Sequence, residues 1–160
     1  MRYLLIMFAI SLPFLANAQR NPELDDMKLK KKAVKQVVLD FFEGFHEGDT
    51  TKMKMVMHKD MIMQTIYKTK EGEDVLNQDD TSKFLNAIAG RPVGQRWNEQ
   101  LLLFKIEVED YMAHVWTPYE FYLNDQFSHC GVNSFQLFKD NGAWKIIYLV
   151  DTRRRAGCKD

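Results

Sequence analysis

An excess of charge of either sign is what this sequence most clearly lacks. Its 22 Lys and Arg stand against 22 Asp and Glu, so no global field draws it to nucleic acid or to an acidic partner. Long apolar runs are scarce too: Tyr3 to Leu15 is short for a bilayer span, and no later segment is a candidate. Metal-binding patterns are missing. His46, His58, His114 and His129 show no ligand spacing such as H-x-E-x-x-H, and Cys130 and Cys158 lack the companions that thiolate sites use. No metal and no cofactor is expected. Without repeats or low-complexity tracts, the 160 residues describe one domain with a proper core.

What is present begins with a leader. MRYLLIMFAISLPFLANAQ joins a basic Arg2 to an apolar stretch and an A-x-A site at Ala16-Asn17-Ala18. The expectation is a signal peptide over residues 1–18, cleavage near Ala18–Gln19, and a single exported domain over 19–160, periplasmic or secreted. No cysteine closely follows the apolar stretch, which argues against a lipid anchor. Export places Cys130 and Cys158 where two cysteines default to a disulfide, with two free thiols as the alternative.

Asn21-Pro22-Glu23 is a helix start, with a capping Asn, Pro at the first helical position and an acid in the first turn. Val34, Val37, Val38, Phe41, Phe42 and Phe45 follow at helical spacing, as one core-facing stripe that ends at Gly48. Residues 49–56 suggest a short second helix, and 61–67 a strand by alternation. Residues 68–80 read as a polar loop. Asp80 or Thr81 can cap a third helix stopped by Gly90 and Pro92, and a loop containing Trp97 follows. Four β runs come next, near 100–109, 112–123, 127–139 and 143–153. Asp110-Tyr111, Asn124-Asp125 and Asn141-Gly142 separate them as hairpin turns. Helices first and an antiparallel meander after make an α+β layout.

The stretches FFEGFHEGD, MHKD and AHVWTPYEF, with GVNSFQLFKDNGAWKIIYLVDTRR, resemble the nuclear transport factor 2-like superfamily, which includes ketosteroid isomerases and polyketide cyclases. The resemblance covers nearly the whole mature chain and is closest to exported bacterial members. It implies a strongly curved mixed or antiparallel sheet wrapped around the long helix as a cone with an apolar pocket. It also places the isomerase base at Thr65, the catalytic tyrosine at Phe41 and the second acid at Ser134. All three roles have lost their chemistry, which leans away from an enzyme.

If both Asn turns are regular two-residue turns, Ser134 lies opposite Leu149, Val132 opposite Asp151 and Cys130 opposite Arg153. One face then collects Thr117, Tyr119, Phe121, Cys130, Val132, Ser134, Leu149, Asp151 and Arg153 towards the pocket. The other collects Trp116, Glu120, His129, Asn133, Phe135, Trp144, Ile146 and Tyr148. The adjacent His129 and Cys130 therefore point apart and fail as a nucleophile pair. A disulfide from Cys130 to Cys158 requires the tail to fold back across the pocket side. His129 and Glu120 could pair on the opposite face.

The expected ligand-binding residues are Tyr67, Trp97, Thr117, Tyr119, Cys130, Ser134, Asp151 and Arg153. Asp151 with Arg153 reads either as an ion pair at a strand end or as a polar ligand anchor. The leading expectation is a non-catalytic protein binding a small amphipathic molecule. It would form a homodimer through the face bearing Trp116, His129, Phe135, Trp144 and Tyr148. One alternative is an isomerase, lyase or hydrolase using Asp151 as acid–base with Tyr119 and Arg153; the other is a dimerising accessory module.

Overall fold

The computed structural model describes residues 21–158, so the leader expected over residues 1–18 lies outside the described residues. Helix α1 spans Pro22–Glu47; the Asn21 side chain accepts the Glu23 N–H, and Gly48 closes the helix at φ 76°, a left-handed conformation that glycine adopts without cost. Its Val34, Val38, Phe41, Phe42 and Phe45 are buried as one stripe. Helix α2, Thr50–Val56, is capped by Asp49, and α3, Thr81–Ala89, by Asp80.

The strands are β1 (Met57–Lys68), β2 (Asp74–Asp79), β3 (Trp97–Leu101), β4 (Lys105–Val108), β5 (Met112–Leu123), β6 (Gln126–Asp140) and β7 (Ala143–Arg153). They form one mixed sheet in the order β2-β1-β7-β6-β5-β3, with β4 also pairing β5. The pair β1–β7 is parallel and the others are antiparallel. The sheet curves without closing, and the three helices pack against it. The fold is α+β. Two details differ from the sequence reading: the polar stretch before α3 contains the edge strand β2, and the run expected over 100–109 is split into β3 and β4, with Trp97 opening β3.

Both Asn turns have the expected mirror-image geometry, with positive φ at Asn124 and Asp125 and at Asn141 and Gly142. Farther along each hairpin a bulge interrupts the pairing. Tyr122 faces Phe127 but Phe121 faces His129, leaving Ser128 unpaired in β6. Leu137 faces Ile146 but Gln136 faces Tyr148, leaving Ile147 unpaired in β7. A bulge advances one strand by one residue and exchanges its faces.

The middle of β6 is therefore turned over relative to the sequence reading. His129, Asn133 and Phe135 lie on the inner face, while Cys130, Val132 and Ser134 lie on the outer one. Ser134 Oγ meets His114 Nε2 at 3.1 Å there. Phe135 and Trp144 are core residues at 0% and 8% exposure, so with His129 they do not belong to an outer dimer face. Of the five residues expected on that face, Trp116 and Tyr148 remain on it.

Cys130 and Cys158 form a disulfide with Cα atoms 5.7 Å apart. Cys130 also exchanges backbone hydrogen bonds with Arg154, and the tail folds back on the outer face rather than across the cavity. The cysteines are 28 residues apart in sequence, and closing such a loop stabilises by roughly 3.5 kcal/mol in the chain-entropy account. Urea denaturation with and without reductant should show a loss of about that size. A difference below about 1 kcal/mol would show that the tail is secured by other contacts.

Candidate functional site

Inside the cone the apolar face of α1 does not meet the sheet everywhere. A cavity of about 770 Å³ remains, walled by Phe41, Phe42 and Phe45 of α1, Phe84 of α3, Trp97 of β3 and Phe121 of β5. The rings pack on one another, with Phe45 5.8 Å from Trp97 and 6.3 Å from Phe121 between centroids. The polar groups come chiefly from the sheet.

Asp151, 7% exposed, is the hub of that polar wall. It accepts from Thr65 Oγ1 at 2.6 Å, from the Tyr119 hydroxyl at 3.1 Å and from Arg153 Nε at 2.8 Å. Arg153 Nη2 donates to Thr65 Oγ1 at 3.3 Å. Thr65 also lies 3.0 Å from Asp79 Oδ2, but its single hydrogen serves one carboxylate at a time, and the shorter contact is to Asp151. Burial, and then the charge of Asp151, push the Tyr119 phenol above its ordinary value, so Tyr119 remains a donor. Burial opposes the charge on Arg153, yet Asp151, with Tyr119 and Glu99 helping, keeps Arg153 above its usual value.

Tyr119 reaches Asp151 by crossing β6, and Gly131 makes the crossing possible. A Cβ there would lie 2.8 Å from Tyr119 Cε1 and 1.7 Å from the Thr152 carbonyl oxygen. The Tyr119 hydroxyl also lies 3.0 Å from that carbonyl.

Glu99 and Asn133 form a second polar unit. Asn133 Nδ2 donates to Glu99 Oε1 at 2.7 Å. His46, at the end of α1, accepts the Glu99 backbone N–H on Nε2 at 2.9 Å, which places its own hydrogen on Nδ1. Arg91 donates to the His46 carbonyl at 2.9 Å and lies over the Trp97 ring, so the end of α1 fixes the start of β3. Burial above all pushes Glu99 up to about 8; the Asp151 charge adds to this, while the Asn133 hydrogen bond and Arg153 oppose it. Burial lowers His129 to about 4, with the Arg153 charge helping, and its ring stacks on Phe121 at 4.9 Å.

Of the residues expected in the site, Trp97, Tyr119, Asp151 and Arg153 line the cavity. Thr117 is wholly buried beneath the wall, and Tyr67 is 38% exposed near the end of β1 and outside the lining. Cys130 is in the disulfide and Ser134 is on the outer face. The lining also contains Glu99, Asn133 and His129, none of which the sequence reading put there. His129 lies opposite Phe121, and Glu120 lies opposite Cys130. Phe41 faces the cavity and Thr65 binds Asp151. In β6 the inward place beside Asp151 belongs to Asn133, not Ser134. Among the described residues no His, Cys, Asp and Glu cluster could hold a metal ion.

An open cone around a long helix, with an aromatic cavity and a polar wall, is the nuclear transport factor 2-like fold. The chain belongs to the family described as "Putative lumazine-binding", whose model matches residues 29–150. No curated protein matches the chain in sequence. Solved structures agree on the fold. A protein of unknown function with a cystatin-like fold from Nostoc punctiforme is 14% identical, with TM-score 0.61 over 80% of this chain and 93% of that one. An NTF2-like protein of unknown function from Shewanella baltica is 12% identical, with TM-score 0.58 over 81% and 97%. A protein described as "Putative Scytalone Dehydratase" from Novosphingobium aromaticivorans is 13% identical, with TM-score 0.60 over 82% and 89%.

Proposed function

We propose that this protein binds a small amphipathic molecule in the cone without converting it, and that it does so as an exported homodimer. The observation that carries the reading is the cavity itself. It measures about 770 Å³ and sets aromatic rings of α1, α3, β3 and β5 against polar side chains that come chiefly from the sheet. Cavities of roughly 300–1,000 Å³ with few convergent polar groups suit drug-sized ligands. The family description supports a ligand of heteroaromatic character, since a lumazine is a flat ring system with polar edges.

Binding is favoured over turnover because Asp151 already accepts from Thr65 Oγ1 and Arg153 Nε, with the Tyr119 hydroxyl 3.1 Å away and its one hydrogen shared between Asp151 and the Thr152 carbonyl. A general base there would have to surrender partners before taking a proton. A second reading, an isomerase, lyase or hydrolase using Asp151 with Tyr119 and Arg153, draws on the Novosphingobium neighbour's description. Export rests on the leader-like residues 1–18. Dimerisation is supported by an apolar outer sheet face that carries Ile62, Ile66, Trp116 and Phe138, all at least 40% exposed.

Native mass spectrometry of the protein purified from its own host tests these elements together. The expected species is a dimer of chains beginning at Gln19, each with one small molecule bound. Empty chains in every charge state would overturn the binding reading.

A further inference from the structure

Among the described residues Glu99, in the cavity wall, has no ion-pair partner. Asp151 and Arg153 pair at 2.8 Å, whereas Glu99 has only the neutral Asn133 amide as its side-chain partner among the described residues. That bond occupies Oε1. No buried side-chain oxygen or nitrogen among the described residues lacks a partner, so Oε2, which makes no hydrogen bond, keeps accessible surface. Glu99 is partly exposed and lines the cavity.

A second carboxylate beside Asp151, enclosed by Trp97 and Phe121, would be an uncompensated charge in an apolar setting, and such a group takes up a proton instead. Burial accordingly raises Glu99 to about 8. As a neutral acid it has one oxygen that accepts from Asn133 and one that carries the hydrogen.

We propose that Glu99 selects the ligand, donating Oε2–H to a carbonyl oxygen on an uncharged, ring-shaped molecule that lies against Phe45, Trp97 and Phe121. This deepens the ligand-binding reading above and rests on it. A carboxylic acid is both donor and acceptor, and with Oε1 accepting from Asn133 its one hydrogen is placed on Oε2. The aromatic wall supplies a flat apolar surface for the ring, and Arg153, the cation that acts on Glu99, is already paired with Asp151.

The dependence on pH follows from the groups that face Glu99. These are Asn133 of β6, Asp151 and Arg153 of β7 and Tyr119 of β5, with His46 of α1 on its backbone N–H and His129 of β6 in the same lining. Asp79, Asp80 and Lys83 line the cavity from β2 and α3. Burial pushes both His46 and His129 down and Tyr119 up, away from pH 8, and Arg153 stays charged. Glu99 is the member of the wall whose proton is lost near pH 8. Its folded value lies above its ordinary one, so donation is present below about 8 and fades as the pH rises through it.

The test compares two probes of one frame, 2-acetylnaphthalene and 2-ethylnaphthalene, titrated against the full mature protein and read by quenching of tryptophan fluorescence. At pH 6.5 the ketone is expected to bind about fivefold tighter, the factor one neutral hydrogen bond supplies. Raising the pH to 9.5 should erase that preference. In Glu99→Gln, which keeps a donor but cannot ionise, the ratio should no longer change with pH; in Glu99→Ala it should fall to about one. Equal binding of the two probes at pH 6.5, or a wild-type ratio that ignores pH, overturns the proposal and leaves the ligand-binding reading standing. Failure of both probes to bind overturns both.

Discussion

Gly131→Ala is expected to destabilise the protein by about 3 kcal/mol, at the upper end of what overpacking usually costs. The added methyl would sit 1.7 Å from the Thr152 carbonyl oxygen, where only backbone can move to relieve the clash. It would also press on the edge of Tyr119 at 2.8 Å. Relief requires either that β7 separate from β6, at the point where Cys130 and Arg154 exchange hydrogen bonds, or that Tyr119 leave Asp151. Both routes dismantle the polar wall. Urea denaturation followed by circular dichroism measures the loss. A change below about 1 kcal/mol would mean that the end of β7 yields freely, and that Tyr119 does not need the gap.

Asp151→Ala is expected to cost about 3 kcal/mol and to abolish ligand binding. Removing one member of a buried ion pair strands its partner, and such changes run to about 3–5 kcal/mol. The lower figure applies because the Arg153 side chain is 52% exposed and can turn towards water, whereas Tyr119 and Thr65 cannot. Asp151→Asn keeps the shape and one accepting oxygen, so its cost should be about half as large. Thermal melts of both variants, with ligand titrations on whatever folds, separate the roles. If Asp151→Ala melts like the wild type and loses only binding, the carboxylate serves the ligand alone. If both variants bind normally, it serves the fold alone.

Much of this was legible in the sequence, for identifiable reasons. The capped ends of α1, its buried stripe and the positive-φ turns at Asn124 and Asn141 are local chemistry, written where they act. Strand β2 escaped because it is a short, mostly exposed edge strand without an alternating pattern. Glu99 escaped because the break between β3 and β4 placed it in the loop before an imagined single strand. Asn133 and His129 escaped for another reason: nothing in their neighbourhood marks Ser128 or Ile147 as bulges. Counting from the turns still put Tyr119, Asp151 and Arg153 on the cavity side. The two bulges lie on either side of β6, and the second restores between β5 and β7 the phase that the first removed.

That cancellation makes the sheet behave like a message with a reading frame. Deleting Ser128 or Ile147 would remove only a residue that pairs with nothing across the strand, so His129 would still face Phe121 and Tyr148 would still face Gln136. Deleting a paired residue of β6, such as Val132, would instead put every residue beyond it out of step, and cavity side chains would change places with outer ones. Length changes that this protein's lineage has tolerated within these hairpins should therefore fall at the two bulges.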